Sequence, residues 1–330
     1  MNRRDMLVAS ATLLAAPLAR AQTRPAGGPF RIGLLPDLPT ARHEQIIAAL
    51  RELDWVHGRD FILFQSEVPQ GRDVELSARR VVEGKPDLIF AANTAYILAA
   101  YRLTKTVPIV MWTSGYPVES GLAYSLANPG KNVTGLSIYA GTEIFGKLLQ
   151  LLVETKPGIK RIGVLWSYVP PAHPREEIEP AYAQIRSAAQ SLRLDVRIIE
   201  ISKPEETQTA LATVRTERMQ ALMITAGWPL FTRRQEVMNF VVEKGIPTVA
   251  DWEWLGIEPQ PLLRYSPLAF DLIRQASLYV DKILKGGAKA GNLPIQQPAK
   301  FELVVNLKTA RKIGIKIPQS ILLRADRVIE

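Results

Sequence analysis

From residue 30 onward, short fully apolar runs alternate with longer stretches whose apolar positions recur every three or four residues. Residues 31–36 (RIGLLP) predict a buried strand. Residues 41–53 predict a helix, with Ile46, Ile47, Leu50 and Leu53 on one face. The alternation continues with strands predicted at 60–65, 87–91, 108–113 and 132–138 and helices at 73–83 and 95–103. At residues 161–166 (RIGVLW) the pattern restarts. It predicts strands at 195–201, 221–225 and 247–250 and helices at 179–192, 205–218 and 233–244.

Two successive βαβα arrays place the chain in the α/β class. The expected fold has two lobes, each a doubly wound, mostly parallel sheet with flanking helices. The tail adds a predicted strand at 262–266, a helix at 268–284 and a strand at 301–306. A chain that returns to its first lobe and crosses again hinges the lobes by multiple crossings around a cleft. The expected division is 30–138 plus about 263–296 for lobe 1, and 139–262 plus about 297–330 for lobe 2. The residues before 30 differ in kind. Arg3 and Arg4 precede an apolar stretch from Met6 to Leu18, and Ala19-Arg20-Ala21 forms an A-x-A cleavage pattern. Residues 1–21 therefore read as an export signal, of either the Sec or the twin-arginine kind, cleaved after Ala21. Residues 22–29 read as a Pro/Gly-rich linker. The mature protein is expected in the periplasm.

Composition narrows the chemistry. With 330 residues, 47% of them hydrophobic, the chain can bury a core or two, and the absence of Cys removes disulfides and thiolate chemistry. The net charge of +9 is spread over scattered basic residues, so nucleic acid is not an expected partner. The three histidines, His43, His57 and His173, lack metal-ligand spacing, and no Walker A, G-x-S-x-G or G-x-G-x-x-G motif occurs. No metal, cofactor or catalytic residue is expected.

The large aromatics carry the strongest hint. Trp112, Trp166, Trp228, Trp252 and Trp254, with Tyr116, Tyr168 and Tyr265, fall at or just after the carboxyl ends of predicted strands. Ligands bind at those ends in open α/β sheets. Small polar groups lie at the same edges: Asn93-Thr94, Ser114-Gly115, Ser167 and Thr225-Ala226-Gly227. Helix N-terminal amides there could hold a carboxylate, or the same residues could serve as helix caps. The candidate ligand-binding set is Pro36, Asp37, Asn93, Thr94, Ser114, Gly115, Tyr116, Pro117, Trp166, Ser167, Tyr168, Gly227, Trp228, Asp251, Trp252 and Tyr265.

Several segments resemble a known group. These are 53–60 (LDWVHGRD), 87–91, 108–122 (PIVMWTSGYPVESGL), 128–135 (NPGKNVTG), 293–307 (LPIQQPAKFELVVNL) and the end of the chain from 310, with Ile317-Pro318 and Leu322-Leu323-Arg324-Ala325-Asp326. Together they resemble the ABC-transporter substrate-binding proteins of the tryptophan/tyrosine-binding type, over essentially the whole chain after the signal. The resemblance implies a two-lobed periplasmic-binding fold. It also implies capture of a small solute for a membrane permease driven by a cytoplasmic ATPase. Its pocket positions correspond to Asn93-Thr94, Ser114 to Pro117, Ser167-Tyr168, Gly227-Trp228 and Tyr265. The chain departs from the family pattern at Tyr116 and at Arg264-Tyr265-Ser266; Arg264 could meet an acidic ligand group or lie on the surface. The expected function is therefore the solute-binding component of an ABC importer, acting as a monomer and not as an enzyme. A periplasmic sensor feeding a signalling partner ranks behind it, and a secreted α/β enzyme behind that.

Overall fold

The computed structural model describes residues 28–68, 73–139, 141–170, 175–254 and 256–330. The expected signal at 1–21 and linker residues 22–27 lie outside them. The first array runs β1 (Phe30–Leu35), α1 (Thr40–Arg51), β2 (Phe61–Phe64), α2 (Val74–Glu83), β3 (Leu88–Ala92), α3 (Thr94–Leu103), β4 (Ile109–Thr113) and β5 (Val133–Gly135). Its sheet is wholly parallel, in the order β2-β1-β3-β4-β5. The central strands β3 and β4 are buried along their whole length, which is why they read as unbroken apolar runs rather than alternating ones.

The second array runs α4 (Glu143–Thr155), β6 (Arg161–Ser167), α5 (Arg175–Ser191), β7 (Asp195–Ile201), α6 (Thr207–Thr216), β8 (Ala221–Ile224), α7 (Trp228–Thr232), α8 (Arg234–Lys244) and β9 (Thr248–Ala250). After it come β10 (Leu263–Ser266), α9 (Ala269–Leu284), β11 (Glu302–Asn306), α10 (Leu307–Lys312), α11 (Gln319–Leu322) and β12 (Arg327–Ile329). The second sheet has the order β12-β11-β10-β9-β8-β6-β7, and only the β10–β11 pair is antiparallel. The two-lobed, mostly parallel α/β expectation is met. One boundary moves: β10 pairs with β9 and β11, so residues 263–266 belong to the second sheet and not to the first lobe. The helix that follows, α9, does return. It packs on α1, β4 and β5, and buries Leu272, Ile273, Ala276 and Val280 in the first lobe's core.

The chain thus passes between the lobes three times: after β5, between β10 and α9, and before β11. Two crossings run side by side. Leu136 bridges Gln296, the Ser137 amide donates to the Gln296 carbonyl at 2.8 Å, and the Gln296 amide donates to the Gly135 carbonyl at 2.9 Å. α4 is not among the expected elements, although Ile144, Phe145, Leu148, Leu149 and Leu152 recur at helical spacing and form its buried face. The short α7, α10, α11 and β12 are also not among the expected elements; four to six residues, or three in a strand, show no period. No helix among the described residues is long and apolar enough to cross a membrane.

Candidate functional site

The carboxyl ends of both sheets open onto one cavity of about 600 Å³ between the lobes. From the first lobe it takes Pro36 and Asp37 after β1, Asn93 and Thr94 after β3, and Trp112, Ser114, Gly115 and Tyr116 from the β4 end. From the second it takes Trp166 and Ser167, Gly227 and Trp228, and Trp252. This is the strand-end position at which open α/β sheets place ligands, and the volume suits a small organic molecule. Twelve residues of the sequence-derived set are brought together here.

Four are not. Pro117 lies buried under the loop after β4, where its carbonyl accepts from the Leu122 and Ala123 amides. Tyr168 turns outward beneath the Arg175 guanidinium, 4.5 Å from its ring centroid. Tyr265 stacks on Phe301, centroids 5.5 Å apart. Asp251 is buried behind the wall, accepting from the Tyr139 hydroxyl at 3.1 Å and the Ala226 amide at 2.5 Å. Trp254 is a core residue of the second lobe, buried among Ile224, Leu230 and Val237.

Each wall is built locally. On the first, Asn93 has a positive φ of 68°, and its side chain caps α3 by accepting from the Ala95 amide at 3.1 Å. That cap takes the helix amide that could otherwise have met a carboxylate. Thr94 and Ser114 share a hydroxyl–hydroxyl bond of 3.2 Å, and the Gly115 amide donates to Thr94 Oγ1 at 3.1 Å. On the second wall Gly227 presses on Ser167. A Cβ at Gly227 would lie 2.1 Å from the Ser167 Cβ, and its φ is +156°, so a side chain does not fit here. Buried polar atoms at this wall, Ser167 Oγ and Trp228 Nε1, have no hydrogen-bond partner, nor does Trp112 Nε1 opposite.

Sequence reasoning missed several lining residues: Arg42, Ile138, Tyr139, Phe231, Arg234 and Glu253. Tyr139 leans on Tyr116 at 5.4 Å and on Phe145 at 5.6 Å, and so ties the crossing segment to both walls. Arg234 sits over the Phe231 ring at 4.1 Å, and burial draws its pKa below the usual value. Burial also pushes the Asp251 carboxyl up to about 7, although the bonds from Tyr139 and Ala226 oppose the rise. It pushes the Tyr139 hydroxyl well above its ordinary value, and the neighbouring Asp251 adds to that rise.

Arg42 and Glu253 meet across the cleft at 2.7 Å, with 6% and 16% of their side chains exposed. Glu253 also holds Arg264 at 3.2 Å, and Arg264 holds Glu302 at 2.7 Å. Arg264 is thus not among the residues that line the cavity, nor does it lie free on the surface. Its charge is met within the second lobe.

The family model described as "ABC transporter substrate binding protein" matches residues 39–329. A curated relative is the "Tyrosine-binding protein" of Clostridioides difficile (strain R20291), 25% identical over 258 residues, which are 78% of this chain and 70% of that protein. Among solved structures, a conserved domain protein from Vibrio cholerae O1 biovar El Tor superposes with a TM-score of 0.77 at 22% identity, over 91% of this chain and 99% of that one. An ABC domain from Streptococcus pneumoniae in complex with L-Trp gives 0.76 at 21% identity, over 91% and 100%. The ligand-free, open structure of a substrate-binding protein with adhesive properties from Clostridium difficile gives 0.61 at 22% identity, over 92% and 99%.

Proposed function

We propose, on the premise that this chain belongs to the family of ABC transporter substrate-binding proteins, that it is the extracytoplasmic solute-binding component of an importer. It captures a small aromatic or carboxylate-bearing solute between its lobes. It then presents the solute to a membrane permease driven by a cytoplasmic ATPase. In this reading residues 1–21 export the chain to the periplasm, where it works as a monomer. The observation that carries the proposal is the cleft itself. Trp112 and Tyr116 from one lobe face Trp166, Trp228 and Trp252 from the other, across a cavity sized for one small molecule. A tyrosine-binding relative and a tryptophan-bound structural neighbour support an aromatic solute.

The mechanism is hinge closure. A solute that touches both walls favours the closed arrangement only by its differential affinity for it. Each aromatic stack adds about 0.5–1.5 kcal/mol beyond area burial. Several stacks with polar contacts reach binding near 1 μM, about −8 kcal/mol. Thermal-shift screening of aromatic amino acids and aromatic acids, followed by calorimetry, tests this. The wild type should respond to at least one of them, and a Trp228→Ala/Trp252→Ala variant should lose the response. An equal response from the double variant would sink the aromatic-cleft reading.

A further inference from the structure

Among the described residues Arg42–Glu253 is the one ion pair that joins the two lobes; every other pair lies within a lobe. Both residues line the cavity. Arg42 comes from the first turn of α1 and Glu253 from the loop after β9. A second cross-lobe contact lies beside them. Trp112, from the first lobe, stands 6.2 Å from Trp252, the neighbour of Glu253 in the chain, and the Arg42 guanidinium lies over Trp112 at 5.6 Å. A cation on one wall, an anion on the other and two indoles alongside are therefore gathered at one end of the cleft.

We propose that Arg42 and Glu253 form a receptor for a zwitterion. An α-amino acid with an aromatic side chain enters between them as the lobes part, its α-carboxylate on Arg42, its α-ammonium on Glu253 and its ring against Trp112 and Trp252. This rests on the solute-capture reading and assigns the residues that select within it.

Charge bookkeeping favours this class of solute. Inserting a zwitterion exchanges one ion pair for two, so neither protein charge is left unmet in a half-buried site. The remaining bonds hold both groups in place: Arg42 keeps Gln45 at 2.7 Å, and Glu253 keeps Arg264. A carboxylate lacking the ammonium would take Arg42 from Glu253 and leave that carboxylate with Arg264 alone. An amine lacking the carboxylate would do the reverse. The other charged lining groups are engaged within their own lobes. Asp37 Oδ1 accepts from both the amide and the hydroxyl of Ser66, at 2.9 and 2.5 Å, and Arg234 donates to the Phe231 carbonyl at 2.7 Å. Because its two halves come from opposite lobes, the separation of the lobes sets the spacing of the site, and a bound zwitterion replaces the direct Arg42–Glu253 contact as the tie between them.

Calorimetry on the purified protein with L-tryptophan, indole-3-propionate and tryptamine tests the idea without any mutation. The amino acid should bind at least about tenfold more tightly than either analogue, the effect of one unmet charged contact. Glu253→Gln should then erase the preference over indole-3-propionate, and Arg42→Gln the preference over tryptamine, each to within about threefold. Melting curves and circular dichroism confirm that both variants fold. The proposal is overturned if either analogue matches L-tryptophan on the wild type, if a folded variant keeps the wild-type preference, or if L-tryptophan and L-tyrosine both fail to bind. In the last case mass spectrometry of the denatured protein separates the two readings. Release of another small molecule preserves solute capture, and its absence removes that reading as well.

Discussion

The two walls of the cleft are braced in different ways. On the first lobe Trp112 Nε1 is unpaired, but the small polar groups satisfy one another: Thr94 with Ser114, the Gly115 amide with Thr94, and the Gly115 carbonyl with the Ser137 hydroxyl at 3.1 Å. These groups are neutral, and the wall has room around Gly115. On the second lobe the backbone at Ala226 is held by a buried carboxyl, Gly227 is jammed against Ser167, and two buried polar atoms are unpaired. A self-satisfied wall gives shape and tolerates change. A wall that depends on close contact, burial and charge is where substitutions and pH should be felt.

The sharpest way to break the comparison is to add one methyl group to each wall. Gly227→Ala places a Cβ against Ser167 and should cost about 3 kcal/mol in stability and abolish solute binding. Gly115→Ala meets only Thr94 Oγ1 at 3.7 Å and Tyr139 Cε2 at 3.9 Å, ordinary contact, and should stay within about 0.5 kcal/mol. Denaturant midpoints of the two variants measure the contrast; equal losses would show that the walls do not differ in this respect.

A smaller effect should come from pH. Asp251 has its folded-state pKa raised by burial from 3.8 to about 7. Between those values the folded chain keeps a proton that the unfolded chain releases. Its contribution is complete below about pH 4 and is lost as pH rises through 7. Between pH 5 and 7 this group should lower wild-type stability by about 2 kcal/mol. Asp251→Asn should flatten that slope, read as the difference between the two unfolding curves across pH. The neutral Thr94–Ser114 brace supplies no such term, so Ser114→Ala should leave the slope unchanged.

The smallest effect concerns the tie between the walls. Glu253→Gln should cost about 1 kcal/mol, because Arg264 keeps Glu302 and Arg42 keeps Gln45. Glu75→Gln, which breaks an exposed pair with Arg102, should change thermal stability by less than about 0.5 kcal/mol. A loss at Glu253 no larger than that at Glu75 would deny the cross-lobe pair any special standing.

The parts of this molecule legible in the sequence are those fixed by local pattern. Buried parallel strands announce themselves as apolar runs, and residues at or just beyond their ends, such as Asn93, Ser114, Ser167 and Trp228, fall in the cleft because parallel strands put their carboxyl ends on the same side. Arg42 escapes that logic. It lies one turn before Ile46 on the buried face of α1, where its charge breaks the apolar pattern, and a residue 211 positions away in the other lobe pairs with it. Glu253 stands between two tryptophans and reads as a surface acid. Tyr168 and Tyr265 sit at the expected strand ends but turn away, drawn to Arg175 and Phe301, and no local pattern reports the direction of a side chain. α4 is legible by the same rule, since Ile144, Phe145, Leu148, Leu149 and Leu152 recur at helical spacing and form its buried face.

The return of α9 to the first lobe also sets the order in which the protein can be made. Strands β1 to β5 emerge from the ribosome early, but the helix that covers one face of their sheet is encoded after the whole βα array of its neighbour. Until residue 284 has been synthesised, Leu34, Phe90 and Val110 lack the packing of Leu272, Ile273 and Ala276. Neither half can be cut out and expressed as an intact unit, and the nascent first half carries an uncovered apolar face throughout synthesis of the second. Wherever the chain folds, its first core is complete only once α9 is available and its second only once β12 is.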